Sequence, residues 1–329
     1  MDSRPLVSII IPVYNQQARL GRCLSSLAAQ TLDGLQLVAV DDGSTDGSRR
    51  LLADFSAAHP GLMKVIAQPN QGVGAARNHG LAQADAEVVG FVDSDDYVEP
   101  DMFSRMFKQL QDTGADVAVC DYRVVHEDTG AVSITHLADK SPLGSLAQHP
   151  EQIYMQDFGP WNKLFRKALW EGISFPVGVK YEDLQAVLEA YARARQVTYL
   201  PAALYDYVSN QQGETQTRDR RVFDILTILS ALTDHFADQP SAIRQAVVEL
   251  CAFKLFQYAS IFCRHRQQLD GRDIMNEYLD RCYAFLDGRC PGWRGIYVSH
   301  GRGAANTALR IMQTSQAIYT RYYRRRLAR

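Results

Sequence analysis

The amino-acid sequence predicts an α/β domain with a mainly parallel sheet flanked by helices, followed by an all-helical C-terminal domain. Up to about residue 120, short β-branched runs alternate with amphipathic segments, and alternation without hairpin signals favours parallel strands joined by helices. Beyond residue 218, apolar residues recur with the helical period and strand-like runs are lacking. A polar stretch at residues 209–219, rich in Gln, Gly and Thr, marks the boundary.

The first predicted strand, residues 7–11, is a β-branched run closed by Pro12, which is typical of a strand buried on both faces. Apolar residues at helical spacing then predict a helix over residues 20–28. The same unit recurs through the N-terminal half, with strands at residues 35–40, 63–67, 87–92 and 115–120 and helices at 48–58, 73–84 and from Pro100 onward.

The rest of the α/β region has a looser pattern. Residues 123–160 are polar and contain Gly and Pro, which indicates loops and short elements. Helices are predicted at residues 162–171 and from 182 onward, and short strands at 197–200 and 204–208. Beyond the boundary, helices are predicted at residues 219–237, 240–268, 272–287 and 303–325.

Composition and charge exclude several classes of protein. The 329 residues are 46% hydrophobic and include 35 basic and 37 acidic side chains, which suits a globular protein with no general attraction to nucleic acid. Six cysteines are scattered without a C-x-x-C pair, as expected for buried thiols in a reducing cytoplasm. Because the sequence shows neither a leader nor an apolar run long enough to cross a bilayer, we expect neither export by that route nor membrane insertion.

The end of the chain, residues 321–329, is basic with interleaved tyrosines. Basic residues close to an anionic membrane face contribute about 1 kcal/mol each to binding, whereas arginines also complement the dipole of a solvated helix end. The sequence leaves both interpretations open. The helical domain is accordingly expected to contact the acceptor, a membrane surface or a second copy of the chain.

An acidic run follows the strand predicted at residues 87–92. Asp93, Asp95 and Asp96 place three carboxylates within four residues, with Ser94 between them. Like charges this close are costly without a cation, and an oxygen-rich strand end suits a hard divalent metal such as Mg²⁺ or Mn²⁺. An ordinary solvated acidic turn explains the run equally well when it is considered alone.

Three other segments, residues 12–15, 41–47 and 70–78, follow the carboxyl ends of predicted strands. They should meet the acidic run at the ligand-binding edge of the sheet. Tyr14 can stack on a flat base, and Asp42 can accept a hydrogen bond from the N–H of a pyrimidine ring. Gly72 and Gly74 allow close backbone approach, and Arg77 supplies a fixed cation for phosphate or for the acidic run. Each feature alone has an ordinary explanation as turn or capping chemistry, but together they favour a binding site.

Two common nucleotide-binding motifs are missing from the sequence. The turn after the first predicted strand, residues 12–15, contains no glycine, which excludes the G-x-G-x-x-G motif of dinucleotide-binding dehydrogenases. A Walker loop is also lacking. A nucleotide must therefore be held by another geometry.

In order and spacing, these motifs resemble family 2 glycosyltransferases of the GT-A fold. The resemblance runs through Pro12-Val13-Tyr14-Asn15, Asp41-Asp42-Gly43-Ser44-Thr45-Asp46, Asn70-Gln71-Gly72, Ala75-Ala76-Arg77-Asn78, Asp93-Ser94-Asp95-Asp96, Trp161-Asn162-Lys163-Leu164-Phe165, Tyr181-Glu182-Asp183-Leu184 and Leu204-Tyr205-Asp206-Tyr207. It implies a catalytic domain at about residues 1–215, with a nucleotide-sugar half at about 1–122 and an acceptor half at about 123–215. The helical domain, residues 216–329, lies outside the resemblance from residue 219 onward.

The activity that the resemblance implies is transfer of a sugar from a nucleoside diphosphate, usually UDP, to an acceptor hydroxyl with inversion at the anomeric carbon. The setting it implies is assembly of a surface glycan at the cytoplasmic face of the membrane, with Mn²⁺ or Mg²⁺ as cofactor and a glycan or glycolipid as acceptor. Carried over by position, the donor-binding residues are Pro12, Tyr14, Asp42, Arg77, Asp93 and Ser94.

In the same resemblance, Asp95 together with Asp93 binds the metal, and Asp183 is the general base. Asp183 opens a predicted helix, where the helix dipole keeps a carboxylate ionised, and Glu182 is the neighbouring competitor for this role. The acceptor side is expected to include Trp161, Asn162, Lys163 and Glu182. Residues 209–218, with Thr215, Thr217 and Arg218 as donors, are expected to form either a lid over the diphosphate or an interdomain linker.

Two other classes of function stay open on the sequence alone. A sugar-nucleotide nucleotidyltransferase would also use an acidic strand end, but it should carry a glycine-rich basic loop where residues 12–20 offer only Arg19. A non-catalytic nucleotide-sugar-binding scaffold would have no need to retain Asp93, Asp95 and Asp183 together.

Overall fold

The computed structural model describes residues 4–137, 144–155, 157–209, 220–264 and 272–295. The chain folds into two compact units, Met1–Thr215 and Gln216–Arg329. The first unit contains the sheet and the second is helical in the part of it that the structure describes.

The first unit is built on a nine-stranded sheet with the order β3-β2-β1-β4-β8-β6-β9-β5, and β7 pairs with β6 outside this path. The strands are β1 (Val7–Val13), β2 (Leu35–Asp41), β3 (Met63–Ala67), β4 (Val88–Phe91), β5 (Tyr97–Val98), β6 (Val117–His126), β7 (Val132–Thr135), β8 (Lys163–Arg166) and β9 (Val197–Ser209). The helices of this unit are α1 (Leu20–Ala28), α2 (Ser48–Ala58), α3 (Val73–Gln83), α4 (Met102–Thr113), α5 (Gln152–Met155) and α6 (Glu182–Arg193).

The first four strands in sheet order, β3, β2, β1 and β4, are parallel, as the sequence predicted. Every residue of β1 is buried because α3 packs on it and on β2. Parallel strands covered in this way consist of nearly continuous apolar residues. Since all four strands run in one direction, the loops that follow their carboxyl ends share one edge of the sheet.

The second part of the sheet is mixed. β8 is antiparallel to both of its neighbours, β4 and β6, whereas β9 is parallel to β6. The helix predicted at residues 162–171 is therefore wrong, because residues 163–166 form β8 and only Lys167–Trp170 form a 3₁₀ turn. Pairing on both edges and burial of Leu164 and Phe165 override the helix-like spacing of this segment.

The two strands predicted at residues 197–200 and 204–208 form one long strand, β9. Its pairing with β6 shifts register between Leu200 and Ala203, so Pro201 falls where no ladder partner is required. Proline in a sheet is tolerated at such irregularities because it has no N–H to donate.

The second unit contains α7 (Asp224–His235), α8 (Ser241–Arg264) and α9 (Arg272–Arg289), with 3₁₀ turns at Arg220–Phe223 and Trp293–Gly295. The prediction of an all-helical C-terminal region is confirmed for the part that the structure describes. The helix predicted at residues 303–325 and the basic segment 321–329 lie outside the described residues. Among the described helices, none is long and apolar enough to span a membrane.

Candidate active site

The loops that follow β1 and β2 are joined to each other by hydrogen bonds. The Asn15 side chain accepts from the backbone N–H of Thr45 at 2.8 Å, and the Gln17 side chain accepts from Gly47 N–H at 2.8 Å. In return, the backbone of Asn15 donates to the hydroxyl of Ser44 at 3.1 Å. The two loops therefore form one surface at the edge of the sheet.

The residues predicted to border the base lie at this same edge of the sheet, but only one of them is exposed. Tyr14 is 47% exposed at the tip of its loop, whereas Pro12 is buried beneath it. Asp42 is only 2% exposed and accepts hydrogen bonds from the Gln68 side chain and from the backbone of Gln71 and Gly72, all at 2.8–2.9 Å. A carboxylate has about four acceptor sites, so these three donors leave capacity for one more hydrogen bond, and contact of Asp42 with a base stays a prediction.

Arg77 lies at the centre of the candidate site. Its guanidinium, which is buried, forms ion pairs with Asp93 at 2.9 Å and with Glu182 at 2.6 Å. Burial lowers the pKa of Arg77, but the surrounding carboxylates, including Asp183, outweigh burial and raise that pKa above the ordinary arginine value. Arg77 thus joins the end of β4 to the first turn of α6, two segments that are 89 residues apart at Asp93 and Glu182.

The acidic run divides into two pairs of residues with different environments. Asp96 and Ser94 are buried, and the Asp96 carboxylate accepts from the Tyr205 hydroxyl and from Val208 N–H, both at 2.7 Å. Asp93 and Asp95 are only half-buried. Asp96 is thus a structural residue of the run, and Asp93 and Asp95 are the carboxylates that a ligand can approach.

The environment of Asp95 fits a divalent cation. Burial and the charge of Asp93 raise the pKa of Asp95 to about 6, although the charge of Arg19 acts in the opposite direction. Among the described residues, no group of three or more His, Cys, Asp or Glu is arranged to hold a metal. Two carboxylates still fit a cation such as Mg²⁺, because this ion is commonly bound by one or two carboxylates together with substrate phosphates.

The first turn of α6 places Glu182 and Asp183 differently. Tyr181, the residue before the helix, has a left-handed backbone with φ of 69°. Glu182 is buried against Arg77, whereas Asp183 is half-buried and its carboxylate accepts from Leu184 N–H at 2.8 Å. Asp183 is therefore the more accessible carboxylate of the two, although it is close enough for its charge to act on Arg77.

Close packing at the start of α3 explains one of the two glycines that the sequence analysis singled out. A Cβ atom on Gly74 would lie 2.5 Å from the carbonyl oxygen of Pro176, while Gly72 has open space around it but a φ of +91°. Asn78 fixes the same contact, since its side chain exchanges two hydrogen bonds with the backbone of Phe175 at 2.7 and 2.8 Å. Gly74 thus serves packing within the protein, and its proximity to a ligand stays a prediction.

The residues predicted for the acceptor side, Trp161, Asn162 and Lys163, are directed into the protein. Trp161 stacks on Tyr205 with ring centroids 4.6 Å apart, and Asn162 donates to the carbonyl of Cys120 at 2.7 Å. Lys163 has no exposed surface and donates to three oxygen atoms at 2.6–2.7 Å. Burial lowers the pKa of Lys163 to about 8, and its position supports a role in holding the loop at residues 157–162.

Several residues of the site were not assigned a role from the sequence. Tyr205 lies in a motif that was recognised, but its hydrogen bonds to the acidic run depend on the pairing of β9, which sequence spacing does not reveal. Sequence spacing likewise does not reveal the partners of the Gln68 and Asn78 side chains, which connect distant segments. Of the predicted lid at residues 209–218, all but Ser209 lies outside the described residues.

Comparison with known proteins identifies the family. The model of Glycosyl transferase family 2 matches residues 8–173. EpsH of Bacillus subtilis (strain 168), a protein named as a glycosyltransferase, is 30% identical over 261 residues, which are 76% of this chain and 74% of EpsH. The chain belongs to glycosyl transferase family 2, and it is a glycosyltransferase.

Solved structures confirm the GT-A fold. Residues 1–349 of S. aureus TarS, crystallised with UDP-GlcNAc, superpose with a TM-score of 0.76 at 21% identity, covering 97% of this chain and 92% of that one. The mannosyltransferase PcManGT from Pyrobaculum calidifontis, in complex with GDP-Man and Mn²⁺, has a TM-score of 0.58 at 17% identity, with 98% and 88% covered. The family assignment also decides against the nucleotidyltransferase and the non-catalytic scaffold. For the nucleotidyltransferase, Arg19, the one cation of residues 12–20, is moreover paired with Glu127 at 2.6 Å.

Proposed function

We propose that this chain transfers a hexosyl or N-acetylhexosaminyl group from a UDP-sugar to an acceptor hydroxyl, with inversion at the anomeric carbon. The observation that carries the proposal is the pair of contacts made by Arg77 with Asp93 and Glu182. Through these contacts the donor-side carboxylates and the proposed base on α6 face one site. The complex of TarS with UDP-GlcNAc supports a uridine donor.

In this proposal, residues 1–122 bind the donor and residues 123–215 bind the acceptor. Tyr14 stacks on the base and the remaining acceptor site of Asp42 receives a hydrogen bond from it. Asp93 and Ser94 adjoin the ribose, and Arg77 holds the Asp93 carboxylate in place. Because the carboxylates of Asp42 and Asp93 are fixed by internal contacts before the donor arrives, these two groups require little ordering on binding.

Asp95 and Asp93 would hold Mn²⁺ or Mg²⁺, and the Mn²⁺ in the PcManGT complex supports this assignment. Bound there, the metal would neutralise charge that develops on the departing diphosphate. Arg77 engages Oδ1 of Asp93 at 2.9 Å, so we assign the cation to Oδ2 of this carboxylate.

Asp183 acts as the general base. It accepts the proton of the acceptor hydroxyl while the acceptor oxygen forms its bond to the anomeric carbon, and the bond from that carbon to the diphosphate oxygen breaks with its electron pair. A single in-line displacement of this kind inverts the configuration of the carbon. Burial of the Glu182 carboxylate and its pairing with Arg77 at 2.6 Å favour Asp183 over Glu182 in this role.

The biological setting that we propose is assembly of a surface polysaccharide, lipopolysaccharide, capsule or related glycan on the cytoplasmic side of the cell membrane. A glycan or glycolipid is the acceptor. The helical unit, Gln216–Arg329, would contact the membrane surface or a second copy of the chain.

The test is a panel of UDP- and GDP-sugars incubated with the full chain, a mixture of glycan acceptors and Mn²⁺, with release of the nucleoside diphosphate as the readout. We expect turnover with a UDP-sugar, loss of turnover in EDTA, and NMR evidence that the product has the opposite anomeric configuration. Retained configuration, or turnover with GDP-sugars alone, would overturn the proposal. Binding of UDP-sugars without any turnover would contradict it in favour of a non-catalytic binder.

A further inference from the structure

Three side chains from different elements form a hydrogen-bonded chain behind the candidate base site. Gln68, directly after β3, donates from its side-chain nitrogen to Oδ1 of Asp42 at 2.8 Å. The oxygen of the same amide lies 2.9 Å from Nδ1 of His79 on α3. The chain therefore runs from a half-exposed histidine, through one amide, to the buried carboxylate at the end of β2.

The direction of every hydrogen bond in this chain follows from chemistry. Two backbone N–H groups, those of Gln71 and Gly72, also donate to Asp42, so its carboxylate acts only as an acceptor. The Gln68 amide must then present its NH₂ group to Asp42 and its oxygen to His79. An amide oxygen can only accept, so Nδ1 of His79 must carry a proton in either charge state of the ring.

These contacts use the two oxygens of Asp42 unequally. Oδ1 accepts from Gln68 and Gln71, whereas Oδ2 accepts from Gly72 alone. The plane of the carboxylate is thereby fixed, and the remaining acceptor capacity lies on Oδ2. We propose that Gln68 and His79 are positioning residues that orient Asp42 so that Oδ2 reads the N3–H of a uracil ring; this inference rests on the proposed function.

Holding the loop in place does not require the side chain of Gln68. The backbone of Gln68 donates to the carbonyl of Asp41 at 3.0 Å, and the backbones of Gln71 and Gly72 hold the rest of the loop to Asp42. Removing the side-chain amide should therefore leave the loop attached while taking away one of the three hydrogen bonds that fix the orientation of the carboxylate. We therefore expect loss of the Gln68 side chain to affect selection of the nucleobase and not folding.

Binding of UDP and CDP tests this role directly. At the position where uracil has an N–H donor, cytosine has an acceptor that a carboxylate repels. The affinities of wild type, Gln68→Met and His79→Leu for both nucleotides are measured by calorimetry with Mn²⁺ present. We expect UDP to bind wild type more tightly than CDP, and each variant to lose about five- to tenfold of that preference, which corresponds to the net contribution of one ordinary hydrogen bond. The lost preference should come from weaker binding of UDP, with the affinity for CDP nearly unchanged.

Two further variants separate positioning from general damage. His79→Asn keeps an N–H donor near the place of Nδ1 and should retain most of the preference, whereas Gln245→Met, at an exposed glutamine of α8, should change nothing. In the steady state, Gln68→Met should raise the KM for the UDP-sugar more than it lowers kcat.

An equal loss of affinity for UDP and CDP in Gln68→Met would show a merely structural role and overturn the inference. An unchanged preference in both Gln68→Met and His79→Leu would overturn it as well. If wild type itself binds the two nucleotides equally, Asp42 reads no base and the inference fails. The proposed function is judged separately in that case, by turnover of UDP-sugars in wild type.

Discussion

The Tyr205 hydroxyl donates a hydrogen bond of 2.7 Å to Oδ2 of Asp96 and accepts one of 3.2 Å from the backbone N–H of Asp93. The side chains of Tyr205 and Asp96 are both buried. Strand β9 thereby fixes the acidic run through a buried side chain. The half-buried carboxylates of Asp93 and Asp95 are thus supported by a residue that a ligand at the site would not contact.

Replacing Tyr205 by phenylalanine in the full chain should weaken the metal response without removing a metal ligand. The change leaves Asp96 Oδ2 buried without its donor, which should lower the free energy of unfolding by about 1–3 kcal/mol. The freed run should also require a higher Mn²⁺ concentration for half-maximal activity. Tyr97→Phe, at a half-exposed tyrosine of neighbouring β5, is the control and should change stability by no more than about 0.5 kcal/mol. An unchanged Mn²⁺ dependence in Tyr205→Phe would show that β9 does not position the run.

Asp183→Asn should abolish turnover and leave UDP binding near the wild-type value. Loss of a general base lowers kcat by about 10²- to 10⁴-fold. The proposed contacts of Tyr14 and Asp42 with the nucleobase, and the Asp93–Arg77 pair, are unchanged in this variant. Glu182→Gln should act differently, because it removes one charge from the buried pair with Arg77. We expect that variant to melt at a lower temperature and to retain more activity than Asp183→Asn. The reverse order of activities would move the base to Glu182.

Asp95 should make the metal-free protein less stable as the pH rises. Burial and the charge of Asp93 raise the pKa of Asp95 to about 6 in the folded state, whereas an aspartate in an unfolded chain titrates near about 4. Between these values the folded state binds the proton more strongly, so the free energy of unfolding falls as the pH rises from about 4 to about 6. Asp95→Asn removes this penalty, and in EDTA at about pH 7.5 it should melt higher than wild type.

Manganese should reverse the order of these two proteins. Wild type should gain thermal stability on addition of Mn²⁺ and UDP together, since ligands that bind only the folded state stabilise it, and Asp95→Asn should gain much less. Asp54→Asn, at an exposed site on α2, should follow wild type in both conditions. A metal response in Asp95→Asn equal to that of wild type would remove Asp95 from the cation site.

Gly74→Ala should separate α3 from the segment that leads into α6. The added Cβ would lie 2.5 Å from the carbonyl oxygen of Pro176, and overpacking of this kind costs about 1–3 kcal/mol. Because that segment leads to Asp183, kcat should fall along with stability. Gly21→Ala in α1, where a Cβ would meet nothing within 4 Å, should instead be neutral or stabilising by up to about 1 kcal/mol. Equal behaviour of the two variants in melting and activity would contradict the close approach at Gly74.

The sequence was sufficient for the parallel part of the fold and for the family, because both depend on local signals. Strand runs such as the one in β1 are apolar enough to identify without a partner, and the acidic run follows β4 as expected. The sequence was insufficient for β8, because Lys163 to Arg166 form a strand only when they pair with β4 on one side and β6 on the other. The same limit applies to the site: the ion pairs of Arg77 depend on the chain path between residues 93 and 182, on which motif spacing gives no information.

The insertion of β8 between β4 and β6 has a consequence for folding during synthesis. Val88–Gly90 pair with Leu164–Arg166. During synthesis one edge of β4 therefore has no pairing partner until a segment more than seventy residues further along the chain has been made. Until that segment emerges from the ribosome, β4 is an open edge with apolar residues around it, and such edges invite association with other chains. We therefore expect this enzyme to depend most on chaperones while synthesis has not yet passed residue 162, and truncation before residue 163 should yield aggregates rather than a smaller soluble domain.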